Sequence, residues 1–270
     1  MEDQLSPRQG QGIALALSGG GTRGIAHIGV LQALVEAGIP IQALSGTSAG
    51  SLVGVLYAAG YQPSEMLDIF KETSLLRLFK VSVPQVGLVD NSYLIEKLAT
   101  LIPADNFSAL KKPFHVCIAN LTKGKAEMIS SGPLFEVLAI SCSIPILFKT
   151  RVLNGDVYAD GGVINNLPIE PLKTYGSEVI GVNVAPVRAR NTSDLGSMMD
   201  IGYRVLDLVM WGNVSAKLDQ MAYLIEPQVA KYGFFDLRHA EELFERGYEE
   251  AQKYVPKIRQ LVNTRNSFSD

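Results

Sequence analysis

The chain has 270 residues, 47% of them hydrophobic, with 24 basic and 27 acidic side chains for a net charge of −3. That is enough to bury the core of one large α/β domain, while the near balance of charge, with no long run of either sign, speaks against a nucleic-acid-binding surface. Three scattered histidines and two cysteines in apolar stretches, Cys117 and Cys142, suggest neither a metal cluster nor a disulfide framework, and two buried thiols are expected.

Residues 1–12 are polar and lack the basic start and apolar core of a secretory leader, so a cytoplasmic location is expected, with 13–262 as one domain and 263–270 as a frayed tail. No apolar run reaches the length of a membrane span, so any membrane contact would be peripheral. Residues 13–17 form a short apolar run, as in a buried parallel strand, and end in Ser18-Gly19-Gly20-Gly21-Thr22-Arg23-Gly24. Residues 25–37 repeat apolar positions at helical spacing before Gly38 and Pro40 stop the helix. A second strand over 39–44 leads into Gly46-Thr47-Ser48-Ala49-Gly50 and a helix over 52–60. This βαβ order places the glycine loop and the Ser48 turn at the same carboxyl edge of a sheet.

Helices are expected from Pro63 to about 73 and over 92–102, with an apolar, punctuated stretch at 75–89 between them. A buried strand spans 114–120, and 125–130 is placed to pair with it across Lys123-Gly124. A helix over 133–143 ends at Pro145, and Asn154-Gly155 marks a two-residue hairpin that runs into Ala159-Asp160-Gly161-Gly162. A strand over 178–184, a helix over 195–211, a short strand over 222–225 and an amphipathic helix over 239–261 complete the chain.

A G-x-S-x-G turn between strand and helix is the mark of a nucleophile elbow, with Ser48 at its tip and the helix N-terminus favouring negative charge on its oxygen. Gly46 and Gly50 are expected where a side chain would strike the neighbouring strand or helix. Acyl transfer also needs oxyanion donors and a base. Backbone N–H groups of Gly19, Gly20 and Gly21 could supply the first, although such a loop also serves as a structural or nucleotide-binding turn. Asp160 is the candidate base, with a plain turn aspartate as the alternative. Arg23 could hold a substrate phosphate or stabilise the loop. His27 reads as a helix-packing residue rather than a proton carrier, His115 as a core residue and His239 as a solvated one; Ser45 and Ser51 read as structural. The stretch 75–89 and the triplet Val209-Met210-Trp211 are candidate lid or membrane-contact segments, with core packing as the alternative.

The three motifs around Gly19, Ser48 and Asp160, in that order and spacing, resemble the patatin-like phospholipase family. Ala26-His27-Ile28-Gly29-Val30-Leu31, Ser141-Cys142-Ser143-Ile144-Pro145 and Asn165-Asn166-Leu167-Pro168 extend the similarity over about residues 13–184. The resemblance implies a doubly wound, mainly parallel α/β fold in three layers. It further implies a Ser48–Asp160 dyad without histidine, an oxyanion hole from Gly19, Gly20 and Gly21, hydrolysis of phospholipid or lysophospholipid acyl esters, and no cofactor or catalytic metal. Acyl transfer, as in the related malonyl transferases, and a non-catalytic lipid-binding role are the alternatives. Oligomeric state is not indicated.

Overall fold

In a computed structural model of the protein, residues 12–71, 91–145, 147–234 and 237–266 are described. The stretch 75–89 therefore lies outside the described residues. Among the described residues eight strands form one mixed sheet: β1 (Ile13–Leu17), β2 (Ile41–Thr47), β3 (Phe114–Asn120), β4 (Lys125–Ile129), β5 (Arg151–Leu153), β6 (Asp156–Asp160), β7 (Glu178–Val182) and β8 (Tyr223–Ile225). The order is β5-β6-β3-β2-β1-β7-β8, with β4 paired to β3. The pairings from β3 through β2, β1 and β7 to β8 are parallel, and those of β4, β5 and β6 are antiparallel.

β1 shows how the layers follow from side-chain size. Alternate residues of a strand face opposite sides of its sheet. Ile13, Leu15 and Leu17 join the large core with α1 (Ile25–Glu36), α2 (Ala49–Ala59), α3 (Pro63–Lys71), α4 (Ser92–Leu101), α5 (Phe135–Ser141) and α7 (Ala240–Asn266). Ala14 and Ala16, with Ala43 of β2, face a thinner layer built from Leu167, Ile169, Leu172 and Val214, the last on α6 (Met198–Ser215). The result is a three-layer α/β/α fold. α1 and α7 meet at glycines: a Cβ on Gly29 would run into the Phe244 carbonyl, and one on Gly247 into that of Ala26.

Among the helix ends that differ from the sequence expectation, two have a clear local reading. α6 starts three residues later than expected because residues Thr192–Leu195 form a separate 3₁₀ turn, and Ser197 with Asp200 then makes a reciprocal capping box for α6. α7 continues to Asn266, into the stretch expected to fray. Cys117 and Cys142 are buried free thiols, and burial pushes both above their ordinary pKa, Cys117 to about 12. Among the described residues no helix is long and apolar enough to cross a membrane.

Candidate active site

Ser48 links β2 to α2 with φ 52° and ψ −123°, backbone angles that side-chain-bearing residues rarely adopt. Asn154, the other non-glycine residue with positive φ among those described, sits in the Asn-Gly hairpin where such angles are ordinary. At Ser48 the surroundings impose the strain, which for such angles is on the order of 1–3 kcal/mol. A Cβ on Gly46 would lie 2.5 Å from the Gly50 carbonyl oxygen, and one on Gly50 would strike the Leu17 carbonyl, so strand, turn and helix approach as closely as backbone allows. The Ser48 carbonyl accepts from the Ser51 N–H at 2.8 Å and the Ser51 hydroxyl at 2.6 Å. Its N–H donates to Ser141 Oγ at 2.9 Å, and Ser141 Oγ donates in turn to the Cys117 carbonyl at 2.8 Å. Its own Oγ is buried and has no hydrogen-bond partner among the described residues.

The partner for that hydroxyl comes from across the sheet. β4 occupies one edge of β3 along residues 116–120. On the other edge β2 pairs with Phe114 to Cys117, and β6 arrives from the opposite direction to pair with Ile118 to Asn120. Thr47 stands opposite Cys117 and Asp160 opposite Ile118, so the ends of β2 and β6 meet at consecutive registers, about 3.3 Å apart along β3. Asp160 is fully buried; its N–H donates to the Ser143 carbonyl at 3.0 Å, and its Oδ1 accepts from the Gly162 N–H at 2.8 Å. Burial pushes its carboxyl up to about 7, against the opposing pull of the neighbouring Ser48 side chain and the Gly162 N–H. Asp160 Oδ2, like Ser48 Oγ, has no full hydrogen bond among the described residues, although the two side chains are neighbours. A strained serine hydroxyl and a buried carboxylate oxygen, both unsatisfied and side by side, form an arrangement that can move a proton between them.

The glycine loop closes over the same point. A Cβ on Gly19 would lie 3.0 Å from Ser48 Cβ and 2.6 Å from Asn166 Oδ1. The Gly19 N–H is shared between Asn166 Oδ1 at 3.1 Å and the Asn166 carbonyl at 3.3 Å. The N–H groups of Gly20 and Gly21 have no acceptor among the described residues. Gly21 adopts φ 61° beneath the Phe234 ring, where a Cβ would approach ring carbons to 2.5 Å.

Arg23 is almost wholly buried and is committed to this loop. Its Nε donates to the Gly20 carbonyl and its Nη2 to Asp207 Oδ1, each at 3.1 Å, and its guanidinium lies 5.4 Å from the Phe234 ring centre. It also lines a cavity of about 520 Å³ with Ile144, Arg204, Tyr203, Met210 and Phe234.

None of the three histidines bonds Ser48. His27 is buried and donates from Nε2 to the Ser18 carbonyl at 2.8 Å, and burial lowers its pKa to about 4, so it stays neutral. His115 meets the Tyr175 hydroxyl at 2.9 Å, and His239 pairs with Glu242 at 3.2 Å.

Residues that chemistry-based reading passed over hold the site in place. Ser141 and Ser143 take the Ser48 and Asp160 amides. The 165–168 segment latches β2 and the loop: the Asn165 carbonyl accepts from Thr47 Oγ1, that of Pro168 from Ser45 Oγ, and Asn166 takes the Gly19 amide. Asn213 of α6 accepts from the Asn166 N–H at 2.8 Å and donates to the Gly162 carbonyl at 3.3 Å. Their only signal in the sequence was membership of the Ser141-Cys142-Ser143 and Asn165-Asn166 runs, which named no role for them; nothing marked Asn213 or Asp207.

Comparison with known proteins adds one family match, two relatives and one solved structure. A family model described as patatin-like phospholipase matches residues 15–173. The chain is 25% identical over 283 residues to lysophospholipase nte1 of Emericella nidulans, covering 93% of this chain and 18% of that protein. It is 32% identical over 176 residues to an uncharacterized NTE family protein of Mycobacterium tuberculosis, covering 64% and 48% respectively. The chain thus spans less than half the length of these curated relatives. Among solved structures, VipD from Legionella pneumophila aligns with a TM-score of 0.50 at 18% identity, covering 94% of this chain and 67% of that one.

Proposed function

This chain belongs to the patatin-like phospholipase family, and on that premise we propose that it is a serine hydrolase that cleaves acyl esters of phospholipids or lysophospholipids through Ser48 and Asp160. Asp160 Oδ2 accepts the Ser48 proton as Oγ attacks the ester carbonyl. Negative charge then develops on the carbonyl oxygen, where the unoccupied Gly20 and Gly21 N–H groups and the N-terminus of α2 stabilise it. Gly19 joins them only if Asn166 releases its amide. Collapse of the tetrahedral intermediate expels the alcohol, which takes the proton from Asp160. Asp160 then deprotonates a water that attacks the acyl-serine, and the fatty acid leaves as Ser48 recovers its proton.

A carboxylate near its ordinary pKa of 3.8 would be a feeble base toward a serine hydroxyl; at about 7 Asp160 is better matched to the task. The cavity of about 520 Å³ beside the loop has the size of a small-molecule site and combines apolar walls with four arginines and three aspartates, an excess of cation that suits a lipid with a phosphate head group. The observation that carries the reading is the pair of unsatisfied buried atoms, Ser48 Oγ and Asp160 Oδ2, on a strained turn. The same pair favours a catalytic role over a merely lipid-binding one, because a binding protein gains nothing from that strain. The test is hydrolysis of lysophosphatidylcholine and of a short soluble ester by wild type, Ser48→Ala and Asp160→Asn. Loss of both activities in both folded variants supports the proposal, and undiminished hydrolysis in either defeats it.

A further inference from the structure

α6 has two unlike sides. One side is tied to the candidate site: Met210 and Val214 are buried, Asp207 pairs with Arg23, and Asn213 holds the Gly162 and Asn166 backbone. On the other, Met198, Ile201, Val205, Leu208 and Val209 are between 41% and 88% exposed. At 3.6 residues per turn these five fall within an arc of about 100°, opposite Met210 and Val214, along roughly 17 Å of helix. The sequence pointed to Val209-Met210-Trp211 instead, but Met210 is buried and only Val209 of that triplet is strongly exposed. Single exposed apolar residues are ordinary; a contiguous stripe of this kind along one face of a helix marks a contact surface.

The charges beside the stripe indicate what it contacts. Three carboxylates in this region have partners within the chain: Asp194 takes the Asn191 N–H, Asp200 caps α6 through Ser197, and Asp207 pairs with Arg23 and Arg190. Arg204, at the flank of the stripe and on the wall of the cavity, has no acceptor among the described residues. An apolar band with an uncompensated cation beside it matches the boundary of a phospholipid layer, where acyl chains and phosphates lie within a side chain's length of each other. A second copy fits poorly, because two-fold pairing about the middle of the stripe would bring two Arg204 guanidinium groups together.

We propose that the exposed face of α6 seats the protein on a phospholipid bilayer, with Met198, Ile201, Val205, Leu208 and Val209 in the acyl boundary and Arg204 at phosphate level. The inference rests on the lipid-hydrolase reading above. Because α6 also holds Gly162 and Asn166, this seat brings the glycine loop and its cavity to within about one helix width of the lipid surface.

The test is flotation of the full chain carrying Ser48→Ala with phosphatidylcholine/phosphatidylglycerol vesicles. Adding Ile201→Ser and Val205→Ser is expected to lower the bound fraction about tenfold or more. In the otherwise native chain, the same double change should leave hydrolysis of a short soluble ester within about twofold of wild type, as expected of exposed positions. Arg204→Gln should weaken binding and reduce its salt sensitivity. Unchanged flotation of the double variant, or no flotation of the parent, overturns the proposal. So does a double variant that turns a dimer into a monomer without altering flotation. Stripe-dependent flotation of a chain whose native form hydrolyses no ester would leave the docking surface standing and sink the catalytic reading alone.

Discussion

The amides of Ser48 and Asp160 are held by two residues of one short segment: Ser141 Oγ accepts from Ser48 at 2.9 Å and the Ser143 carbonyl accepts from Asp160 at 3.0 Å. The end of α5 thus sets the spacing between proposed nucleophile and proposed base. Ser141→Ala would leave the buried Ser48 N–H unsatisfied, at a cost of about 1–3 kcal/mol. The expected result is a lower melting temperature and a fall in kcat of about tenfold or more with KM little changed, since the lost bond positions the turn rather than the substrate. Steady-state kinetics on a soluble ester checks this.

The pH profile should follow Asp160. As the proposed base, Asp160 works only when deprotonated, so kcat/KM should rise with pH through about 7, where an unperturbed carboxylate would place the acid limb near 3.8. An acid limb below about pH 5 would mean that Asp160 is not the group that must lose its proton.

The same shift has a stability consequence of opposite direction. The folded-state pKa of about 7 lies above the ordinary value of 3.8, so the folded protein binds the extra proton between these values. The Asp160 contribution to stability is therefore fully present below pH 3.8 and is lost as pH rises through 7, on the order of a few kcal/mol in all. Asp160→Asn, which never ionises, should gain in melting temperature relative to wild type more at about pH 8.5 than at about pH 5. Thermal unfolding of both proteins at the two pH values reads this directly.

Asp207→Asn should loosen the glycine loop. It removes the carboxylate from a guanidinium whose side chain is only 3% exposed, and breaking such a pair typically costs about 3 kcal/mol or more. The lost anchor acts on the Gly20 carbonyl, which Arg23 also holds, so activity should fall with stability. Wild-type melting temperature and activity in the variant would show that the ion pair does not support the loop.

Gly46→Ala should be among the most damaging small substitutions, because the added methyl meets the Gly50 carbonyl and neither backbone segment can yield without opening the elbow. Gly124→Ala, where no atom of the described residues lies near the added methyl, costs only the backbone strain of φ 63°. The difference in yield and melting temperature between the two measures the crowding.

Much of this site was legible in the sequence because its demands are local. A positive φ at Ser48, a close approach at Gly46 and Gly50, and a βαβ order that puts two loops on one sheet edge all leave marks within a few neighbouring residues. The Asn154-Gly155 hairpin and the pairing of β4 with β3 were legible for the same reason. What could not be read depends on register and on distant partners. Nothing local says that β6 meets β2 at consecutive residues of β3. The choice between two roles for Arg23 turns on Asp207, 184 residues away. The exposed stripe of α6 was missed because hydrophobicity marked a contiguous triplet, whereas burial on a helix is decided by which face its neighbours cover.

In the proposed mechanism Ser48 is activated by Asp160 and by no histidine. The most direct measurement is the rate at which a fluorophosphonate labels the intact protein, with the modified residue located by peptide mass spectrometry, in wild type, Asp160→Asn and His27→Gln. Expected are a single adduct on Ser48 in wild type, labelling slowed roughly 10²-fold or more in Asp160→Asn, the scale of general-base assistance, and little change in folded His27→Gln. An adduct on another serine, or near-native labelling of Ser48 in Asp160→Asn, would contradict that mechanism.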